Sequence, residues 1–190
     1  MRHLLSLLFF VLSFQVYAQT PSSMQQPRVQ RFEVEVFLGG TYPISHCLDL
    51  SPAFDLAEGV EFRYNLQQIP LSVGFLAEQT NTRYGEGEGY NSGLSNCMPL
   101  VALTGDWNFR QGKKINPFAG LAMGITAATW DSGMSFPVEH KNYPVFIPRI
   151  GVELGYHFRT HLDINIVRTS FSNVQLAVGA NIGGRPKKQK

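Results

Sequence analysis

Eleven ionisable residues recur at alternate positions in runs that are otherwise apolar: Glu33, Glu35, Glu61, Arg63, Glu78, Asp106, Arg110, Arg149, Glu153, His157 and Asp163. Acids and bases arranged this way could form an ion path or a gate. They could also fill a narrow interior as a structural network of paired charges, since buried charge persists only when it is partnered. The set is read as that network. A second constellation lies between the runs, where Ser45, His46, Asp49, Ser135, Glu139 and His140 supply the residue types of a lipid hydrolase. No pair of them falls at alternate positions of one strand, and such sites are recognised by geometry rather than by adjacency. Glu86 and Glu88, each flanked by glycine, offer loose calcium ligands, but EF-hand spacing is absent and a flexible loop tip explains them as well. No catalytic, cofactor or metal site is assigned, and no enzymatic activity is expected. Cys47 and Cys97 permit a disulfide if the two loops approach within bridging distance, which sequence leaves open.

These residues need strands to hold them. Phe32, Val34, Val36 and Leu38 alternate with Glu33 and Glu35. Val60, Phe62, Tyr64 and Leu66 oppose Glu61, Arg63 and Asn65. Leu71, Val73, Phe75 and Ala77 oppose Ser72, Gly74 and Glu78, and Val101, Leu103, Trp107 and Phe109 oppose Ala102, Thr104, Asp106, Asn108 and Arg110. A fifth run covers residues 116–127, a sixth 146–158, and two more follow a tight turn at Arg159–Thr160. Period two over such lengths predicts eight two-faced strands. Each spans about nine to thirteen residues, close to what a tilted strand needs to cross a bilayer. Long connections at 41–55, 80–97 and 129–144 alternate with short ones, which predicts antiparallel hairpins.

The apolar face could line a ligand cavity, as in a lipocalin-like soluble barrel, or face lipid. Three features favour lipid. The polar set mixes small residues with charges of both signs, which suits a tight interior. All six lysines of the 190-residue chain fall in connections or the tail, whereas a solvated face would carry several. Aromatic residues gather at the short-turn ends of the strands: Phe32, Tyr64, Trp107, Phe109, Tyr156 and Phe158, as in an interfacial girdle. A lipid-facing sheet must close, because an open edge in hydrocarbon leaves backbone groups unpaired.

The first eighteen residues read as a cleaved Sec signal peptide: Arg2 and His3, the apolar run from Leu4, then Val16-Tyr17-Ala18. Residues 19–31 read as a flexible leader, 32–184 as the barrel, and 185–190 as a basic tail. The net charge of +2 is too small to imply nucleic acid. Both termini are expected in the periplasm and the long loops outside. Tyr84, Tyr90, Trp130, Phe136 and Tyr143, set among small polar residues, could bind an extracellular or cell-surface partner or could pack over the barrel mouth.

Three segments carry a family likeness: residues 116–124 (NPFAGLAMG), 148–158 (PRIGVELGYHF) and 176–184 (LAVGANIGG). With them the chain resembles the small outer-membrane β-barrels of Gram-negative bacteria, the OmpA/OmpX-like porin-family group. The resemblance implies an all-β, eight-stranded, antiparallel, up-and-down transmembrane barrel in the outer membrane, with outer-membrane lipid as its surroundings and an anchoring or surface-contact role. A lipid-modifying enzyme and a narrow ion path remain the rival functions.

Overall fold

The computed structural model describes residues 29–44, 51–85, 93–131, 140–167 and 171–183. The expected signal peptide, most of the expected leader and the expected tail lie outside them. The alternating runs become β1 (Phe32–Pro43), β2 (Ser51–Ala53), β3 (Asp55–Asn65), β4 (Leu71–Gly85), β5 (Gly93–Asn108), β6 (Ile115–Asp131), β7 (His140–Leu154), β8 (Phe158–Asn165) and β9 (Asn173–Gly183). All neighbours pair antiparallel. The β4–β5 ladder closes the ring, and β1 meets β9 to join the two ends of the chain. β2 and β3 succeed one another along the same edge of β4, so the wall counts as eight strands.

Between β2 and β3 the register slips by one. Ala53 lies opposite Arg83 and Ala57 opposite Thr80, so three residues face two in a β-bulge. The bulge throws Phe54 outward, where its ring lies over Gly40; a Cβ on Gly40 would collide with that ring.

The barrel is inside out relative to a soluble protein. Leu38, Leu103, Met123 and Ile182 are 68%, 70%, 65% and 76% exposed, while Glu35, Glu61 and Asp163 are fully enclosed. An exposed apolar surface this continuous is unfavourable in water and is what a bilayer requires. On β4 the outward residues run Leu71, Val73, Phe75, Ala77, then Gln79, Asn81 and Arg83. The wall therefore rises past the apolar belt.

Several boundaries differ from the sequence reading. The connection expected at Arg159–Thr160 is a turn over Gly155–His157, with Gly155 and Tyr156 both left-handed (φ 61° and 67°). Left-handed backbone at two successive positions suits a tight hairpin turn, and glycine enters it freely while tyrosine does not. Tyr156 is held there by its hydroxyl, which donates to the Gly112 carbonyl at 3.3 Å. The strands also extend into segments expected as loops: β4 and β5 stay paired to Gly85–Gly93, and β6 and β7 to Thr129–His140. The end of the expected leader is docked rather than free. Val29 is buried, and the carbonyls of Val29, Gln30 and Arg31 accept from Gln67 and Asn65. Finally, the β7–β8 ladder stops at Arg149–Asp163 and resumes as a single bridge between Phe146 and Ile166. Pro148, which has no N–H to donate, occupies the gap.

Candidate functional site: the barrel interior and its rims

Inward-facing residues stack in three tiers. At the short-turn end is a hydrogen-bonded belt that crosses six neighbouring wall strands. Asn116 Nδ2 donates to Glu153 (3.2 Å) on one side and to Asn108 Oδ1 (3.0 Å) on the other. Asn108 donates to Ser72 (2.7 Å), Ser72 to Asn65 (2.5 Å), and Asn65 to Glu33 (2.5 Å). From Asn116 onward every donor points the same way and the chain ends on a carboxylate, an order in which each bond polarises the next. Replacing Asn108 with alanine strands one donor and one acceptor in the interior. The expected loss is about 1–3 kcal/mol, read from the midpoint of chemical unfolding in lipid vesicles.

The second tier holds the charges. The Arg63 guanidinium meets Glu33 at 2.9 Å, Glu35 at 2.5 Å and Glu61 at 3.3 Å, and donates to Asn181 on the far side of the closing seam. Arg149 meets Glu61 at 3.1 Å, Asp163 at 3.6 Å and Asp106 at 3.8 Å. Arg159 binds Asp106 at 2.5 Å and lies 3.6 Å above the Phe118 ring. His161 sits between Asp163 (2.9 Å) and Glu35 (3.6 Å), with Phe37 edge-on to its ring. Interior glycines make room for these groups: a Cβ on Gly179 would strike Glu35, and one on Gly120 would strike Asp106.

The third tier, toward the long-loop end, sets an apolar cluster beside the buried polar side chains of Thr41, Thr80, Asn165, Asn173 and Gln175. Phe37, Leu76, Met98, Leu100, Ala102, Ala122, Val145, Ile147, Val167, Phe171 and Ala177 form one packed cluster, with Tyr143 against it. Glu78 borders this layer and accepts from Gln175 at 3.3 Å.

Of the eleven ionisable residues, Glu33, Glu35, Glu61, Arg63, Glu78, Asp106, Arg149 and Asp163 are enclosed in the lumen, and Glu153 is half-buried at its short-turn rim. Arg110 and His157 fall in turns rather than on inward strand positions. β5 ends at Asn108, which leaves Arg110 exposed in the following turn, and His157 lies in the β7–β8 turn. Arg159 and His161 hold the inner positions instead, because β8 begins at Phe158 and its odd residues point inward. Gly155, a turn former within the alternating run, was the available signal.

Among the aromatic residues, Phe32, Trp107, Phe109 and Phe158 are exposed at the short-turn end, and Tyr64 stacks edge-on with Phe32. Tyr156 lies in the turn. Tyr84 is wholly buried, and Tyr143 rests on Phe171 with ring centroids 5.4 Å apart, so these two pack into the mouth rather than stand free. Cys97 forms no disulfide with a described residue. Cys47, Ser45, His46, Asp49, Glu86, Glu88, Tyr90, Ser135, Phe136 and Glu139, and the side chains of Trp130 and His140, lie outside the described residues.

No protein-family model and no curated protein sequence matches the chain. Solved structures do. Neisserial surface protein A superposes with a TM-score of 0.54 at 12% identity, over 80% of this chain and 96% of that one. The outer membrane protein OprG from Pseudomonas aeruginosa gives 0.51 at 13% identity, over 83% and 98%. The likeness is one of fold, and at that level the expected small, eight-stranded, OmpA/OmpX-like barrel is what the chain forms.

Proposed function

We propose that this chain is a bacterial outer-membrane protein without enzymatic activity, whose barrel anchors it and whose long outer connections form its contact surface. The observation that carries the reading is the pairing of an apolar exterior with an enclosed charge network on a closed wall. Closure removes every sheet edge from the hydrocarbon, and the ion pairs rigidify the barrel from within. The contact surface would comprise the connections at 44–50, 86–92 and 132–139 together with the strand ends that carry them above the apolar belt. The occupant would be an extracellular ligand or a partner on another cell. Sec export and periplasmic termini complete this picture.

Cell fractionation tests the anchor. Mature protein should stay in outer membranes washed with alkaline carbonate and shift in gel mobility on boiling; soluble periplasmic protein would overturn the reading. An eight-stranded interior filled by side chains also sets an expectation for transport. Protein reconstituted in planar bilayers should add no steady conductance, and stepwise currents abolished by replacing Arg149 would restore the ion-path alternative.

A further inference from the structure

We propose that the short-turn rim is an anionic-phospholipid site, built on the turn between β5 and β6 and recognising the phosphate headgroups of the adjacent leaflet. The inference rests on the membrane reading above and specifies a partner that reading leaves open. It begins with charge. Arg110, Lys113 and Lys114 are all exposed in a six-residue turn, Phe109–Lys114, and Arg31 is exposed before β1 on the same rim. Among the described residues no exposed carboxylate faces them. The acids nearest this end, Glu33 and Glu153, point inward, where Glu33 is held by Arg63 and Asn65 and Glu153 accepts from Asn116. Among the described residues the four cations therefore lack an exposed counter-charge nearby, while Glu33 and Glu153 are already engaged.

Placement is the second argument. The basic turn is bracketed by Trp107, Phe109 and Ile115, which are 43%, 54% and 53% exposed on the outer wall. Ring-bearing residues at the edge of an apolar belt sit at headgroup depth, and long basic side chains beside them reach the phosphates. Rigidity is the third. The turn's backbone is tied to its neighbours: Lys113 N–H donates to the Arg110 carbonyl, Gly155 N–H to Lys114, Phe109 N–H to Pro117, and the Tyr156 hydroxyl to Gly112. Arg110 N–H donates to Asn116 of the interior belt. The left-handed Tyr156 thus helps lock two adjacent turns into one platform, and the cations are presented without a large ordering cost.

The test is lipid retention by the folded full-length protein. Purified protein in detergent is mixed with equal amounts of phosphatidylglycerol and phosphatidylcholine of matched chains, and bound lipid is counted by native mass spectrometry. Phosphatidylglycerol should be enriched by roughly fivefold, the effect of one full-strength basic contact at a membrane surface. The triple variant Arg110→Gln, Lys113→Gln, Lys114→Gln should bring the ratio close to parity while keeping the heat-dependent gel shift of a folded barrel. Lys141→Gln, at the opposite rim, should leave the enrichment intact. High salt should erase it, because exposed charges are screened over about 3 Å at 1 M. Parity in the wild type, enrichment that survives the triple change, or enrichment that is lost with Lys141→Gln would each overturn the site. Failure of the protein to enter phosphatidylcholine bilayers at all would instead overturn the membrane reading on which it rests.

Discussion

Replacing Arg149 with leucine is expected to cost about 3–5 kcal/mol of barrel stability, the range for removing one member of a buried ion cluster. The side chain is fully enclosed and is the nearest guanidinium to Asp163, while also serving Glu61 and Asp106. Six carboxylates are enclosed in this lumen, Glu33, Glu35, Glu61, Glu78, Asp106 and Asp163, against the three guanidiniums of Arg63, Arg149 and Arg159. Loss of the Arg149 guanidinium leaves Asp163 buried without an arginine among the described residues and thins the positive charge around Glu61 and Asp106. Lysine at the same position should recover only part of the loss, since a single ammonium cannot spread over three acids as the planar guanidinium does. Adding Asp163→Asn to Arg149→Leu should recover stability, because it removes the charge that the first change strands, whereas Glu61 keeps Arg63 and Asp106 keeps Arg159. Urea titration of vesicle-reconstituted protein, followed by tryptophan fluorescence and gel mobility, measures each step. A change below about 1 kcal/mol for Arg149→Leu would mean that the lumen is wet enough to screen its charges, as at a protein surface.

Leu103→Arg separates lipid from water on the other face. Leu103 is 70% exposed halfway along the outward side of β5, between Val101 and Trp107 and beside Met123 and Phe75. On a soluble protein, so exposed a residue would tolerate arginine within about 0.5 kcal/mol. At the middle of a bilayer the same change is expected to cost about 2–4 kcal/mol. Gln79→Arg, on the part of β4 above the apolar belt, should cost little, so depth dependence is the signature. Equal, small effects at both positions would place the outer wall in water.

The wall was legible in sequence because alternate residues there face different media. Val34, Val36 and Leu38 against Glu33 and Glu35 leave no ambiguity about the pleat. Legibility failed where the two faces stop differing. Above the belt, Gln79 to Arg83 is polar on both sides, since water lies outside and a polar mouth inside, so strand continuation read as loop. Toward the long-loop end of the belt, Val36-Phe37-Leu38, Leu100 to Leu103 and Val145-Phe146-Ile147 are apolar on both sides, and the inner apolar cluster disappeared into runs without a period. The asparagine belt was hidden for another reason: Asn65, Asn108 and Asn116 look like ordinary strand-end residues until the ladder brings them side by side. The turn at Tyr156 was missed because alternation runs through it and tyrosine seldom adopts a left-handed backbone.

The seam where β1 meets β9 has a consequence for kinetics. Eleven pairs, from Glu33–Gly183 to Pro43–Asn173, join the two ends of the wall, the most distant in sequence of all its contacts. Each hairpin can zip locally, but this ladder must wait for the whole chain to come round, and non-local contacts of that kind slow folding. The charged tier depends on it. Glu35 rests against Gly179, Arg63 reaches Asn181, and His161 bridges toward Glu35 across the same join. Until the ends meet, these groups keep their water; once they meet, all of them lose it together. Ring closure and dehydration of the ionic cluster are therefore a single late event, and its barrier should be partly electrostatic.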